Sequence, residues 1–315
     1  FLVALIYFTA LFVAYTKINF PFSYLDGFRI EHKYNFSTQN FRAWLVDEIK
    51  SSFVGFLLGL LVFEIIYAVI LHAPSLWWLW LSLIMSGVSI VLANLFPVLI
   101  LPLFYKTAPL ENVALKERIA DLCGRTGITL QGVYTINLSS KSTKANAMVV
   151  GLGNTKKILL GDTLLTDYTE DETINVMAHE ITHFRERHVW RLIFWQSLIT
   201  IATFFIFSRI APPVFRTLGF AAVSEIGAFP LFAIIFGGLS LVTTTLSAAI
   251  SRHYERRADR GALALTGDTG SFISLIAKFC NRDLAIAYPN KLVEWYKYTH
   301  PSPGKRIHFA ENWGK

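Results

Sequence analysis

The chain has 315 residues, 53% of them hydrophobic and only 16% charged, with a mean hydropathy of +0.45. That balance excludes an ordinary soluble globular protein and points to a chain embedded in a bilayer. The formal charge of +7 comes without a Lys/Arg run or aromatic–basic stripe, so no nucleic-acid partner is expected, and Cys123 and Cys280 lack the spacing of a disulfide framework or a thiolate metal site.

In chain order, an apolar run to about Tyr15 (residues 1–15) reads as the end of a membrane span whose start lies before Phe1. A polar loop, 16–50, follows. Residues 51–72 are apolar apart from Glu64, and 76–104 fall in a stretch without a charged side chain; each is long enough to cross about 30 Å of hydrocarbon. Between 133 and 160 the pattern turns β-prone and Gly-bounded, which predicts one small β element. Within it, Ala147-Met148-Val149-Val150-Gly151 is expected to be an edge strand along which an extended peptide substrate lies, with Lys156–Leu160 as its hairpin partner. A fourth span is expected at about 191–209, flanked by Trp190, Arg191 and Arg209, and a fifth at 226–251. His188 reads as an interfacial residue. The loops 16–50, 106–191 and 252–315 carry 27 Lys and Arg residues, against Arg209 and Arg216 alone on the other side, so the first side is expected to be cytoplasmic.

His179-Glu180-Ile181-Thr182-His183 places two imidazoles four residues apart, which on a helix stacks them on one face able to share a Zn²⁺. Glu180 is then beside the metal as general base. The polar turn Asp171-Glu172-Thr173 and the absence of Gly or Pro up to His183 support a helix. A third ligand is required, and directly after the last span Glu255 and Asp259 lie four apart on another expected helix. Glu255 completes a His₂Glu set, and Asp259 is suited to accept the second ring N–H of a zinc histidine. The 71 residues between His183 and Glu255 are mostly a membrane hairpin, which returns the chain to the side it left.

Several blocks together resemble the CAAX prenyl protease 1 family of integral-membrane metalloendopeptidases. They are Gly27 through Ser37, Pro109-Leu110-Glu111-Asn112, Lys144-Ala145-Asn146-Ala147 leading to Gly151-Leu152-Gly153, Gly161-Asp162-Thr163-Leu164-Leu165, the zinc motif, Ser251 through Asp259, and His300-Pro301-Ser302 with Arg306. The resemblance implies His179, His183 and Glu255 as zinc ligands, Glu180 as base and Asp259 as partner of a ligand histidine. It also implies that Asn146, His300 and Arg306 lie near the active site, the last two stabilising an oxyanion. Thr182 stands where the family usually has Gly, and five spans are counted where the family has seven.

The expectation is therefore a mainly α, multi-span membrane protein: an N-terminal membrane region, 1–105, and a zincin-like zinc metallopeptidase domain, 106–315, interrupted by the hairpin. It would hold one Zn²⁺, sit in a bacterial inner membrane or a eukaryotic ER membrane with the zinc site cytoplasmic, and cleave peptides or proteins, prenylated C-a-a-X chains among them. A heat-shock-type membrane quality-control metalloprotease and a non-catalytic scaffold or chaperone are the competing readings.

Overall fold

In hydrocarbon every backbone N–H and C=O must be satisfied within the segment, so apolar runs close their hydrogen bonds as helices. The structure, a computed structural model, describes residues 2–150 and 156–314. Five helical segments among these are long and apolar enough to cross a membrane. Helix α1 (Leu2–Ser23) continues through a π-helical turn (Tyr24–Ile30) to Lys33, and α2 spans Phe41–His72. Both reach beyond the expected limits at 15 and 51, because local capping rather than hydropathy ends them; Asn40 Oδ1 accepts the Ala43 N–H at 2.9 Å at the head of α2. Helix α3 (Trp77–Leu95) runs on through a π-helical turn, Phe96–Ile100, to Phe104.

After strand β1 (Thr107–Pro109) come α4 (Val113–Arg125), β2 (Gly132–Ile136), β3 (Ala147–Val150), β4 (Lys157–Gly161), α5 (Asp162–Asp167) and α6 (Glu170–Arg185). Helix α7 (His188–Thr217) outruns its expected end at 209 and passes through Pro212 and Pro213. Helix α8 (Phe229–Thr266) merges two expected pieces, the last span and the Glu255 helix, into one rod of 38 residues. The chain closes with α9 (Thr269–Arg282), α10 (Lys291–Lys297) and α11 (Pro303–Glu311).

Packing divides the chain into two compact units, residues 1–90 with 194–243 and residues 91–193 with 244–315. The first is held by aromatic side chains from its long helices, Phe207, Phe215 and Phe232 among them, together with Trp77 and Leu81. The second contains a four-stranded sheet in the order β1-β2-β4-β3, with β2 and β4 parallel and the outer pairs antiparallel. The expected hairpin forms: Ala147 pairs with Leu160 and Val150 with Lys157, leaving β3 as an edge. Ile158 and Leu160 point into the core formed with Ile119, Met177, Leu263 and Phe272, while Ile136 and Leu159 pack on Leu101. Alternation along β4 thus seals both sheet faces.

Candidate metal centre and active site

Helix α6 starts with a capping box: Thr169 Oγ1 accepts the Glu172 N–H at 3.2 Å, and Glu172 Oε2 accepts the Thr169 N–H at 2.8 Å. The same buried Glu172 accepts from Ser274 and Lys278 of α9, each at 2.6 Å, which fixes the helix at its N-terminal end. Burial would raise the Glu172 carboxyl, but Lys278, Ser274 and the Thr169 N–H outweigh it and hold it below the ordinary range. Further along, α6 presses on α8. A Cβ added to Gly261 would lie 2.3 Å from Thr182 Cγ2 and Oγ1, so the two helices approach closely because Gly261 leaves room for the bulkier residue at 182.

That close approach faces His179 and His183 on α6 toward Glu255 and Asp259 on α8. One ligand atom from each of His179, His183 and Glu255 lies within 4.8 Å of the others. The distances are 3.1 Å for His179 Nε2 to Glu255 Oε2, 3.1 Å between the two Nε2 atoms and 3.5 Å for His183 Nε2 to Glu255 Oε2. Tetrahedral ligands about 2.0–2.1 Å from a zinc ion lie about 3.3–3.4 Å apart, so this triangle has the size such an ion needs.

The other ring nitrogens set the tautomers. His179 Nδ1 is 3.0 Å from Asp259 Oδ1, an acceptor, so Nδ1 carries the proton and Nε2 turns a lone pair to the centre. His183 Nδ1 is 3.0 Å from His188 Nδ1, and His188 Nε2 is 3.0 Å from Glu186 Oε2. With His188 Nε2–H donating to the Glu186 carboxylate, His188 Nδ1 accepts from His183 Nδ1–H, and His183 also points a lone pair inward. Two nitrogen lone pairs and a carboxylate oxygen converging on one point fit a divalent cation. Burial lowers the His179 imidazole, yet its bonds to Asp259 and Glu255 outweigh this and hold it up at about 9: the two carboxylates favour positive charge at Nε2, and a metal cation there takes the place of that proton and uses the lone pair.

The placement of His188 corrects the interfacial reading. Its side chain is fully buried, because Arg187 adopts a left-handed backbone (φ 56°) that ends α6 and turns the chain into α7 beside His183. Glu186 is held in turn by Arg257 Nε at 2.7 Å. No helical spacing connects positions 183 and 188, and a left-handed Arg is not a recognisable turn signal, so sequence reasoning had nothing to find.

Glu180 is half-buried next to the triangle; burial raises its carboxyl, opposed by His179 and His183. His300 comes in from the loop before α11, its Nε2 3.1 Å from Glu255 Oε2 and its Nδ1 3.0 Å from Thr299 Oγ1. Arg306 of α11 forks onto Asp259, Nε to Oδ2 at 2.9 Å and Nη2 to Oδ1 at 2.6 Å. Burial alone would lower this guanidinium, and Asp259 more than restores it. Asn146 is exposed at the head of β3, its carbonyl accepting the Gly161 N–H at 2.9 Å. Ala147 is buried in the core, whereas Met148, Val149 and Val150 line a cavity of about 730 Å³ with His183, Pro97 and Trp190. Gly151 lies outside the described residues.

Long apolar helices together with a His-His-Glu set on two crossing helices define a membrane metallopeptidase. The profile of peptidase family M48 matches residues 109–314, and that of the CAAX prenyl protease N-terminal region, described as five membrane helices, matches residues 1–106. The chain belongs to peptidase family M48 and is a metalloendopeptidase. It is 29% identical to an uncharacterized metalloprotease, YhfN, of Bacillus subtilis over 94% of this chain and 70% of that protein. With CAAX prenyl protease 1 of Saccharomyces cerevisiae it shares 30% identity over 93% of this chain and 68% of the relative. The crystal structure of S. mikatae Ste24p matches it with a TM-score of 0.87 at 26% identity, covering 97% of this chain and 74% of that one.

Proposed function

We propose that this protein is a zinc endopeptidase that cuts membrane-associated chains, with prenylated C-a-a-X proteins as its substrate class. The observation that carries the reading is the triangle of His179, His183 and Glu255 with Glu180 adjoining it. Zinc, when bound, supplies Lewis acidity that acidifies water and polarises the scissile carbonyl. Glu180 takes the proton of the attacking water and delivers it to the leaving amine. His300 reaches the rim of the triangle and donates to the developing oxyanion. Arg306 acts through Asp259, holding the carboxylate that keeps His179 in its tautomer, rather than on the oxyanion directly. Substrate lies along the free edge of β3, Met148 to Val150, pairing main chain to main chain, with Asn146 at the head of the strand.

The substrate class is supported by the relatives named CAAX prenyl proteases and by the apolar lining that Phe96, Pro97, Trp190 and Ile193 give the cavity beside β3. Burying a lipid chain there is worth about 0.8 kcal/mol per CH₂. The Lys/Arg asymmetry of the loops supports a cytoplasmic centre. The test compares cleavage of a farnesylated C-a-a-X peptide with that of the same peptide lacking lipid. Faster turnover of the lipidated peptide, abolished by a zinc chelator, is expected. Equal turnover of the two peptides would replace this substrate class with a broader one of membrane quality-control type.

A further inference from the structure

Beyond Ile250, where the apolar stretch of α8 ends, the helix becomes abruptly basic: Arg252, His253, Arg256, Arg257 and Arg260 follow within ten residues. Positions 252, 256 and 260 recur every four residues and share one face. That face forms a wall of a cavity of about 600 Å³, completed by Lys291 and Trp295 of α10 and by Lys305 of α11. Some of these cations are used internally. Arg252 is buried and donates to the Glu294 carbonyl at 3.2 Å, and Lys305 pairs with Glu294 at 2.7 Å. Arg256, Arg260 and Lys291 are exposed, and none of the three has an ion-pair partner among the described residues. Like charges gathered on one cavity repel until an anion joins them.

The position along α8 says which anion. At 1.5 Å per residue, the backbones of Arg252, Arg256 and Arg260 lie about 3, 9 and 15 Å past the end of the apolar stretch; the headgroup layer of a bilayer is about 5–8 Å deep, and long Arg side chains on a helix lean back toward its N-terminus, here toward the bilayer. Trp295, one helical turn from Lys291, is 58% exposed, and Leu292 and Val293 beside it are exposed as well. An apolar edge carrying a Trp next to unpaired cations is the composition of a surface seated at the acyl–headgroup boundary.

We propose that this cavity binds the headgroup of an anionic phospholipid, with Arg256, Arg260 and Lys291 on its phosphate and Trp295 against its upper acyl chain. Asp259 and Arg306, both largely buried, lie at the wall of the same cavity, so the bound lipid sits beside the ion pair that supports His179. The proposal does not rest on the cleavage reading, and its test reads lipid retention rather than turnover.

The experiment is native mass spectrometry of the full chain released from detergent, titrated with phosphatidylglycerol, phosphatidylcholine or inorganic phosphate. Wild type is compared with Arg256→Gln/Arg260→Gln/Lys291→Gln and with a charge-matched control, Lys17→Gln/Lys33→Gln/Lys50→Gln. Wild type and control should retain phosphatidylglycerol under activation that strips phosphatidylcholine. The triple variant should lose about a hundredfold in affinity, about fivefold per cation removed, with metal content unchanged as the check on folding. If the triple variant misfolds, Arg256→Gln and Lys291→Gln alone should each show the fivefold loss. Equal losses in the triple variant and the control would overturn the proposal, as would equal retention of phosphatidylcholine or displacement of the lipid by inorganic phosphate at matched concentration.

Discussion

His179 and His183 need the same tautomer and obtain it by different chemistry. Asp259, clamped by Arg306, accepts from His179, whereas His183 donates its Nδ1–H to a neutral imidazole whose own Nε2–H is donated to Glu186. The first arrangement was legible in the sequence, because Glu255 and Asp259 one turn apart have the chemistry of a ligand and its neighbour's support. The second was not, since His188 reaches His183 only through the left-handed turn at Arg187. The same limit applied to Arg306: its spacing from Asp259 says nothing of contact, and its fork became assignable only from distances. His188→Leu should therefore lower zinc affinity about 10–100-fold in chelator competition. His188→Gln, whose side-chain oxygen can accept the same Nδ1–H, should recover part of the loss. Wild-type affinity in His188→Leu would show that His183 needs no such partner.

At the scale of elements, the active-site helices meet where one residue gave space and another took it. Thr182 is buried, its hydroxyl donates to the Ala178 carbonyl at 2.8 Å, and its methyl occupies the gap left at Gly261. The resemblance flagged the bulk at 182, but only the packing of α6 on α8 names the residue that accommodates it. Gly261→Ala should cost about 1–3 kcal/mol by overpacking, seen as a lower midpoint of thermal unfolding. Thr182→Gly in the same chain should restore most of that loss. A neutral Gly261→Ala, or a double variant no better than the single, would mean the helices can separate without penalty. Element type was well announced by the sequence, since apolar length gave the helices and Gly-bounded β-prone runs gave the hairpin. Element ends were less so: α1, α2 and α7 run past their expected limits, and α8 joins a span to the site helix without a break. Hydropathy marks where lipid contact stops, and a helix continues until a cap or turn stops it.

For the whole molecule, a membrane peptidase faces the problem of holding a charged centre next to hydrocarbon. Here α8 carries both parts, an apolar stretch from Phe229 to Ile250 and then Glu255 and Asp259 within three turns. The composition announced the bilayer and the pentapeptide announced the metal, but the convergence of three ligand atoms from two helices is a property of the folded chain alone. The most direct test of the account is zinc content per chain, measured with turnover, for wild type, Glu180→Gln and Glu255→Ala. The account predicts one zinc in wild type and in Glu180→Gln, with turnover in the latter reduced at least about 10²–10⁴-fold, and little or no zinc in Glu255→Ala. Full zinc in Glu255→Ala, or undiminished turnover in Glu180→Gln, would contradict it.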